Sequence, residues 1–285
     1  MKLLLARGLL RIWAWIPLPL LRLGSVATGR LLAALPGKRA RRVDDHLARA
    51  FPDRPDRWRR RVARDNAVEM TATLVECGGL WYRSPRWIES RILNFDGKEL
   101  LDADPDDGRG LLLVGGHLGQ WELPLLAISR RVPVTFLYKR PSSEAADRLL
   151  TARRSRFGAT MAPADAGGMR MLLKTLRGGG TAGMLVDQLP KGGEFVEVPF
   201  FGLPVATTIL PWRLARRTGC RVAVGHALRL PRGRGWTIII EELPDLGRHE
   251  EPLEACARMN AALERMVRAA PEQYLWHYRR FDPAR

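Results

Sequence analysis

From about Arg91 onward the chain alternates short, continuous aliphatic runs with longer segments whose apolar positions recur at helical spacing. The runs are GLLLVGG (110–116), VPVTFLY (132–138), TAGMLVDQ (181–188), RVAVGHALRL (221–230) and WTIIIEEL (236–243). Runs without polar alternation suit strands buried on both faces. The segments between and after them, 121–131, 143–157, 168–177, 206–218 and 252–270, read as helices. Strands separated by helices imply crossover connections, so the pattern predicts an α/β core over 94–285: a largely parallel central sheet flanked by helices.

The pattern before that core is helical throughout. A cap over 37–93 begins with RRVDDHLARAFPD, followed by DRWRRRVARDNAVEMTATLVECGGLW. The second segment carries Val62, Ala63, Ala67, Met70, Leu74 and Val75 at helical spacing, with Gly78 and Gly79 as the expected stop. Residues 1–36 are apolar but interrupted by Arg7, Arg11, Arg22 and Arg30. A spanning helix needs about 20 uncharged apolar residues. The stretch between Arg11 and Arg22 has ten, two of them proline. An interfacial anchor, with Trp13 and Trp15 at the headgroup level, fits better than a span. A buried core helix is the alternative, and a signal peptide fits less well because no cleavage site follows a tidy apolar region. The expected organisation is therefore an anchor over 1–36 and a second domain over 37–285.

Charge strengthens the membrane reading. The 285 residues hold 47 Lys and Arg against 30 Asp and Glu, a formal charge of +17. Residues 1–64 hold 16 basic and 4 acidic residues, so 16 − 4 gives +12 at the N-terminal end. Such a surface suits anionic lipid at a cytoplasmic membrane face. It also suits polyanions generally, so a non-enzymatic basic membrane or nucleic-acid binding protein is an alternative, although no nucleic-acid motif is present. Cys77, Cys220 and Cys256 are too scattered for a disulfide framework or zinc set, and no metal is expected. RGGGTAG (177–183) follows a helix and lacks a phosphate-loop lysine, so it reads as a helix cap and turn rather than a nucleotide site.

Chemistry concentrates in LLLVGGHLGQWELPLL (111–126). Three of the five histidines have an acid five residues on: His117 with Glu122, His249 with Glu254, and His277 with Asp282. Context separates them. His117 follows a strand, at the sheet edge where open α/β proteins bind ligands. His249 lies in a charged loop entering a helix, and His277 in a basic tail whose arginines can hold Asp282. His46 and His226, in a polar helix and inside a strand, read as structural. On a regular helix a five-residue step leaves two side chains about 140° apart. A glycine turn can fold back to join them. Glu122, near the start of the following helix, would then fix the His117 tautomer and leave the other ring nitrogen free as a base.

The segment GGHLGQWEL resembles the signature of the lipid A late acyltransferases, the lauroyl and myristoyl family within the glycerolipid acyltransferase superfamily: His, four residues, then Asp or Glu. Further blocks are similar to that family in order: YKRP (138–141), RSRFG (154–158), DQLPKGGEFVEVPFFGLPVATT (187–208) and PEQYLWHYRRF (271–281). DHLARAFP departs from it, with His46 where asparagine is usual. In the tail His277 is followed by Tyr278, where a histidine commonly comes second, so His277 receives no role.

The resemblance implies acyl transfer from an acyl carrier protein thioester to a hydroxyl of a lipid A precursor, at the cytoplasmic face of a bacterial inner membrane and without a cofactor. His117 would be the general base and Glu122 its orienting carboxylate. Arg154 would serve the oxyanion, as would backbone N–H groups of the glycine turn. Arg140 and Arg156 would meet lipid or donor phosphate, with solvated surface as the plainer reading. Asp187 and Gln188 lie at the ligand-bearing edge, and Phe200, Phe201 and Gly202 are candidates for an acyl channel. Another glycolipid, aminolipid or lysophospholipid acceptor is the nearest alternative.

Overall fold

A computed structural model describes residues 2–102, 108–190, 192–244, 246–247 and 251–282. Five helices open the chain: α1 (Lys2–Trp15), α2 (Leu18–Ala34), α3 (Lys38–Ala50), α4 (Asp56–Tyr82) and α5 (Pro85–Glu89). The α/β core follows, with β1 (Ile92–Asp96), β2 (Leu111–Gly119), α6 (Glu122–Ile128), β3 (Val134–Tyr138) and α7 (Glu144–Arg154). Next come β4 (Thr160–Pro163), α8 (Ala166–Arg177), β5 (Thr181–Leu185), β6 (Phe195–Phe200) and β7 (Leu203–Thr208). The chain closes with α9 (Leu210–Thr218), β8 (Arg221–Arg229), β9 (Trp236–Glu242) and α10 (Pro252–Ala269).

Seven strands form one sheet in the order β1-β9-β8-β2-β5-β3-β4. The five strands from β8 to β4 are mutually parallel, as continuous aliphatic runs joined by helices require. Strand β9 returns antiparallel to β8, because the few residues between them allow a hairpin but no crossover. The two faces carry separate cores. Leu112, Val114, Met184 and Val222 pack toward α8, α9 and α10, while Leu111, Leu113, Ala223 and Ile238 pack with Leu123 and Leu126 of α6. Each strand alternates between those layers, so every position of β2 up to Gly116 is buried.

The helical cap is fastened to the sheet by a buried charge cluster. Arg229 of β8 donates to Glu76 at 2.6 and 2.8 Å and to Glu69 at 2.6 Å, both acids on α4. Its guanidinium also meets the Thr73 hydroxyl at 2.9 Å, and Trp236 donates to Glu76 from its indole nitrogen. Arg22 of α2 donates to Glu69. The side chains of Arg229, Glu69 and Glu76 are under a tenth exposed, so the pairing compensates desolvation that would otherwise be severe.

Gly78 and Gly79 do not stop α4, which continues to Tyr82. They admit neighbours instead. A Cβ on Gly78 would stand 2.5 Å from the Leu10 carbonyl oxygen, and one on Gly79 would stand 2.6 Å from the Trp87 ring. Gly29 of α2 similarly faces the Val68 backbone at 2.4 Å. The first two helices therefore lie against α4 with Leu10, Ala14, Leu18, Leu21 and Ser25 buried. Their other side remains apolar and uncovered, with Leu5, Leu9, Ile12, Trp15, Leu23 and Leu31 all exposed. Among the described residues no single helix is long and apolar enough to cross a membrane; α2 and α3 pass that test only as a pair bent by 91°.

Candidate active site

Strand β2 carries His117 to the edge of the sheet, and adjacent β5 ends in the same direction. Their register pairs Gly115 with Leu185, so two residues further along both chains His117 and Asp187 come level on one side. Asp187 accepts the His117 ring Nδ1–H at 2.7 Å and the His117 backbone N–H at 2.7 Å. Gly116 leaves room for that contact: a Cβ there would press on the Asp187 carboxylate at 3.3 Å. Gln188 then donates from its amide nitrogen to His117 Nε2 at 3.1 Å. The ring is thus held in one tautomer, with its unprotonated Nε2 facing the Gln188 amide.

Asp187 is 4 % exposed and His117 14 % by side chain. Burial alone would raise the Asp187 carboxyl. The facing His117 charge, the two His117 hydrogen bonds and the nearby Arg280 guanidinium outweigh it and hold the carboxyl below its ordinary range. The C-terminal segment supports the histidine from behind, because the Leu275 backbone N–H donates to the His117 carbonyl at 3.0 Å.

The turn after His117 is fixed by close backbone contact. Gly119 has φ +63, and a Cβ there would lie 2.0 Å from the Ala227 carbonyl oxygen, which the Gln120 backbone N–H meets at 2.8 Å. Gln120 reaches the buried charge cluster through its side-chain amide, 2.9 Å from Glu76. Helix α6 starts at Glu122, as Pro124 suggests.

The Glu122 carboxylate is hydrogen-bonded to Arg154 and not to His117. It receives both the Nε and an Nη hydrogen of Arg154, in a bidentate pair whose side chains are 7 % and 16 % exposed. Burial lowers the Arg154 guanidinium, but Glu122 outweighs it and leaves the group more strongly protonated than usual. A fork of that geometry consumes the carboxylate, so Asp187 supplies the contact that spacing had suggested for Glu122. Arg154 is correspondingly a partner of Glu122 rather than a free donor.

Other expected site residues divide. Arg156 donates to the Leu80 and Arg83 carbonyls at the C-terminal end of α4, so its guanidinium is engaged by protein. Arg140 is exposed, with Asp165 at 3.9 Å. Phe200 and Phe201 are buried among Phe51, Trp276 and Phe281, and Phe201 with Gly202 forms the two-residue turn of the β6–β7 hairpin, both at positive φ. None of these three lines the slot beside the histidine. His46 is buried, with Nδ1 2.8 Å from the Trp276 carbonyl, and Asp282 accepts from Arg279. His249 lies outside the described residues.

A narrow apolar slot opens beside His117 at Gly116 and Trp121 and runs between α6 and the sheet. Leu125 and Ile128 cover it, Gly115, Gly183 and Gly225 lie on its floor, and Phe136 and Ile240 stand at opposite sides. Its cavity volume is about 50 Å³. That is well below the few hundred Å³ of a preformed small-ligand site, so α6 and the sheet must part for a chain to enter. His226 also lines it, with Nδ1 unpartnered, and burial pushes that imidazole down to about 4, so it stays uncharged near neutral pH. On the other side of Gln188 a wider depression carries Lys139, Arg213 and Arg217 with Tyr278. Among the described residues no group of three or more His, Cys, Asp or Glu could hold a metal ion.

The model of the bacterial lipid A biosynthesis acyltransferase family matches residues 2–282. The lipid A biosynthesis lauroyltransferase of Escherichia coli (strain K12) is 28% identical over 281 residues, covering 96% of this chain and 89% of that protein. The palmitoleoyltransferase of the same strain is 26% identical with the same coverage. A lipid A biosynthesis acyltransferase of Haemophilus influenzae is 26% identical over 244 residues, covering 84% of this chain and 74% of its own length.

Proposed function

Since this chain belongs to the bacterial lipid A biosynthesis acyltransferase family and is an acyltransferase, we propose that it transfers a fatty acyl group from an acyl carrier protein thioester to a hydroxyl of a lipid A precursor, with His117 as general base and Asp187 orienting it. The observation that carries this reading is the imidazole fixed through Nδ1 by a buried carboxylate, its Nε2 meeting the amide of Gln188, a residue that lines the basic depression, with the apolar slot next to it at Gly116 and Trp121.

The acceptor hydroxyl displaces the Gln188 amide from Nε2 and gives up its proton there as its oxygen attacks the thioester carbon. Asp187 stabilises the resulting imidazolium. Gln188, released from the ring, is a donor beside the developing oxyanion. Collapse breaks the carbon–sulfur bond, and the departing thiolate takes the proton back from His117. The acceptor itself is the nucleophile, so no acyl-enzyme is needed. The slot under α6, widened as the chain enters, takes the acyl chain, and the depression bearing Lys139 and Arg217 suits the donor's phosphate-bearing arm.

The exposed leucines of α1 and α2, flanked by arginines, support attachment to the cytoplasmic face of the inner membrane. Mass spectrometry of lipid A from a strain lacking the protein tests the function. One secondary acyl chain should be missing and should return on complementation; an unaltered lipid A profile would contradict the assignment.

A further inference from the structure

Helices α2, α3 and α4 enclose a long open groove that belongs neither to the slot under α6 nor to the depression beside Gln188. One wall is apolar: Leu20, Leu32, Leu35 and Leu74 line it and are all exposed, Leu74 by 60 %. Its rim is basic, formed by Arg30, Arg39, Arg60 and Arg64, with Asp44 the one acid among its described lining residues. Among the described residues the guanidinium groups of Arg30, Arg39 and Arg60 have no ion pair or hydrogen bond, whereas Arg64 only approaches its exposed neighbour Asp65 at 3.9 Å. Unpaired guanidinium groups beside uncovered leucines form an amphipathic surface that is complementary to one class of molecule, a lipid with an anionic headgroup.

The groove also connects with the histidine. His277 lines it, and the residue two before it, Leu275, is hydrogen-bonded through its backbone N–H to the His117 carbonyl. Arg39, Arg42 and His117 all stand close enough to His277 to lower it further, after burial, through their charges. The leucines of the wall are exposed, as are Leu23 and Leu31 elsewhere on α2, so a lipid held by the outer side of that helix lies beside the groove.

We propose that this groove is the acceptor site: its leucine wall takes acyl chains of the phosphorylated glycolipid, and Arg39, Arg60 and Arg64 take the phosphate. The inference rests on the acyltransferase reading above. It assigns phosphate recognition to side chains that are free to make it, in place of Arg156, which is occupied. Donor and acceptor then reach His117 from different directions, the donor beside Gln188 and the acceptor beside His277.

The test combines kinetics with a binding measurement that needs no turnover. In the full chain, Arg39→Gln/Arg60→Gln/Arg64→Gln should raise the acceptor KM about tenfold or more, the scale of lost charge-assisted contacts, without raising the donor KM. Arg54→Gln/Arg57→Gln/Arg61→Gln, an equal loss of charge on residues of α4 and its approach outside the groove, should change acceptor KM less than about twofold. Calorimetric titration of each protein with dodecyl phosphate in neutral detergent should show the same order, with the groove variant weakened about tenfold and the control variant unaltered. If the parent transfers no acyl chain to lipid A precursor, the functional reading fails, yet dodecyl phosphate binding still decides the groove. Equal weakening in both variants would mean diffuse attraction to anionic surfaces, and unaltered dodecyl phosphate binding in the groove variant would mean no phosphate site; either result overturns the inference.

Discussion

Asp187→Asn is the perturbation that separates the two carboxylates near His117. Asp187 accepts two hydrogens from one residue, the ring Nδ1–H and the backbone N–H, each at 2.7 Å in a site where its side chain is 4 % exposed. Asparagine offers one oxygen and one NH₂. With the oxygen on the backbone N–H, the NH₂ faces Nδ1 and forces the ring proton onto Nε2, where it blocks the base. With the amide reversed, a buried backbone donor is left facing another donor, at a cost of about 1–3 kcal/mol. Both arrangements also remove the charge that stabilises the imidazolium. A turnover loss of about 10³ to 10⁴ is expected, the scale seen when the carboxylate of a serine-protease triad is replaced in the same way. Glu122→Gln should behave differently. It strips the charge from a buried bidentate pair and leaves Arg154 uncompensated, costing about 3–5 kcal/mol of stability, while turnover of the protein that remains folded falls less than about tenfold. Initial rates of acyl transfer from acyl carrier protein thioester, normalised to folded protein by near-UV circular dichroism, distinguish them. Near-parental turnover in Asp187→Asn together with a larger loss in folded Glu122→Gln would return the orienting role to Glu122 and refute the geometry.

Acid should destabilise the fold early, because the His226 imidazole is held at about 4 against 6.5 in an unfolded chain. The unfolded state binds that proton first, so stability present above about pH 6.5 is lost progressively toward pH 4, by about 3 kcal/mol from this group, and denaturant melts of His226→Leu should show a shallower loss. Gly78→Ala should destabilise by about 1–3 kcal/mol, because its methyl would enter the Leu10 and Ala14 backbone, whereas Gly24→Ala, with nothing within 4 Å, should be neutral or slightly stabilising; equal melting temperatures would place α1 away from α4. With an acidic carrier protein as donor, kcat/KM should fall steeply as salt rises, and acyl-CoA should be a poorer and less salt-sensitive donor; equal slopes would remove the case for the carrier.

The sheet was legible because its central strands are continuous aliphatic runs, and all five became strands. The other four strands are short or partly polar. β1 and β4 lie at the sheet edges, where one side needs less apolar cover, and β6 and β7 form a separate hairpin whose exposed faces carry Phe195, Glu197 and Pro199. Glycine was the misleading residue. Gly78 and Gly79 read as punctuation when considered alone, but their function is close approach to α1 and to Trp87, which depends on residues far away in sequence.

The site shows the same division. The placement of His117 at the end of a strand is predicted by the strand and the glycine turn, which are local signals. Its hydrogen-bond partner is not. Glu122 is near in sequence yet faces Arg154, whereas Asp187 is 70 residues away and becomes adjacent only through the parallel register of β2 and β5. The usable signal was that both chains leave neighbouring strands at the same level, and register is a property of the assembled sheet.

The most direct measurement is the turnover of His117→Ala in acyl transfer to a lipid A precursor, followed by mass spectrometry of the acylated product, with the variant's fold confirmed by its melting transition. His117 supplies the only base the proposed mechanism uses, and a general base contributes about 10² to 10⁴ in rate. The account predicts a loss within or beyond that range in a protein that melts like the parent. A folded His117→Ala enzyme that turns over within a few-fold of the parent would contradict it.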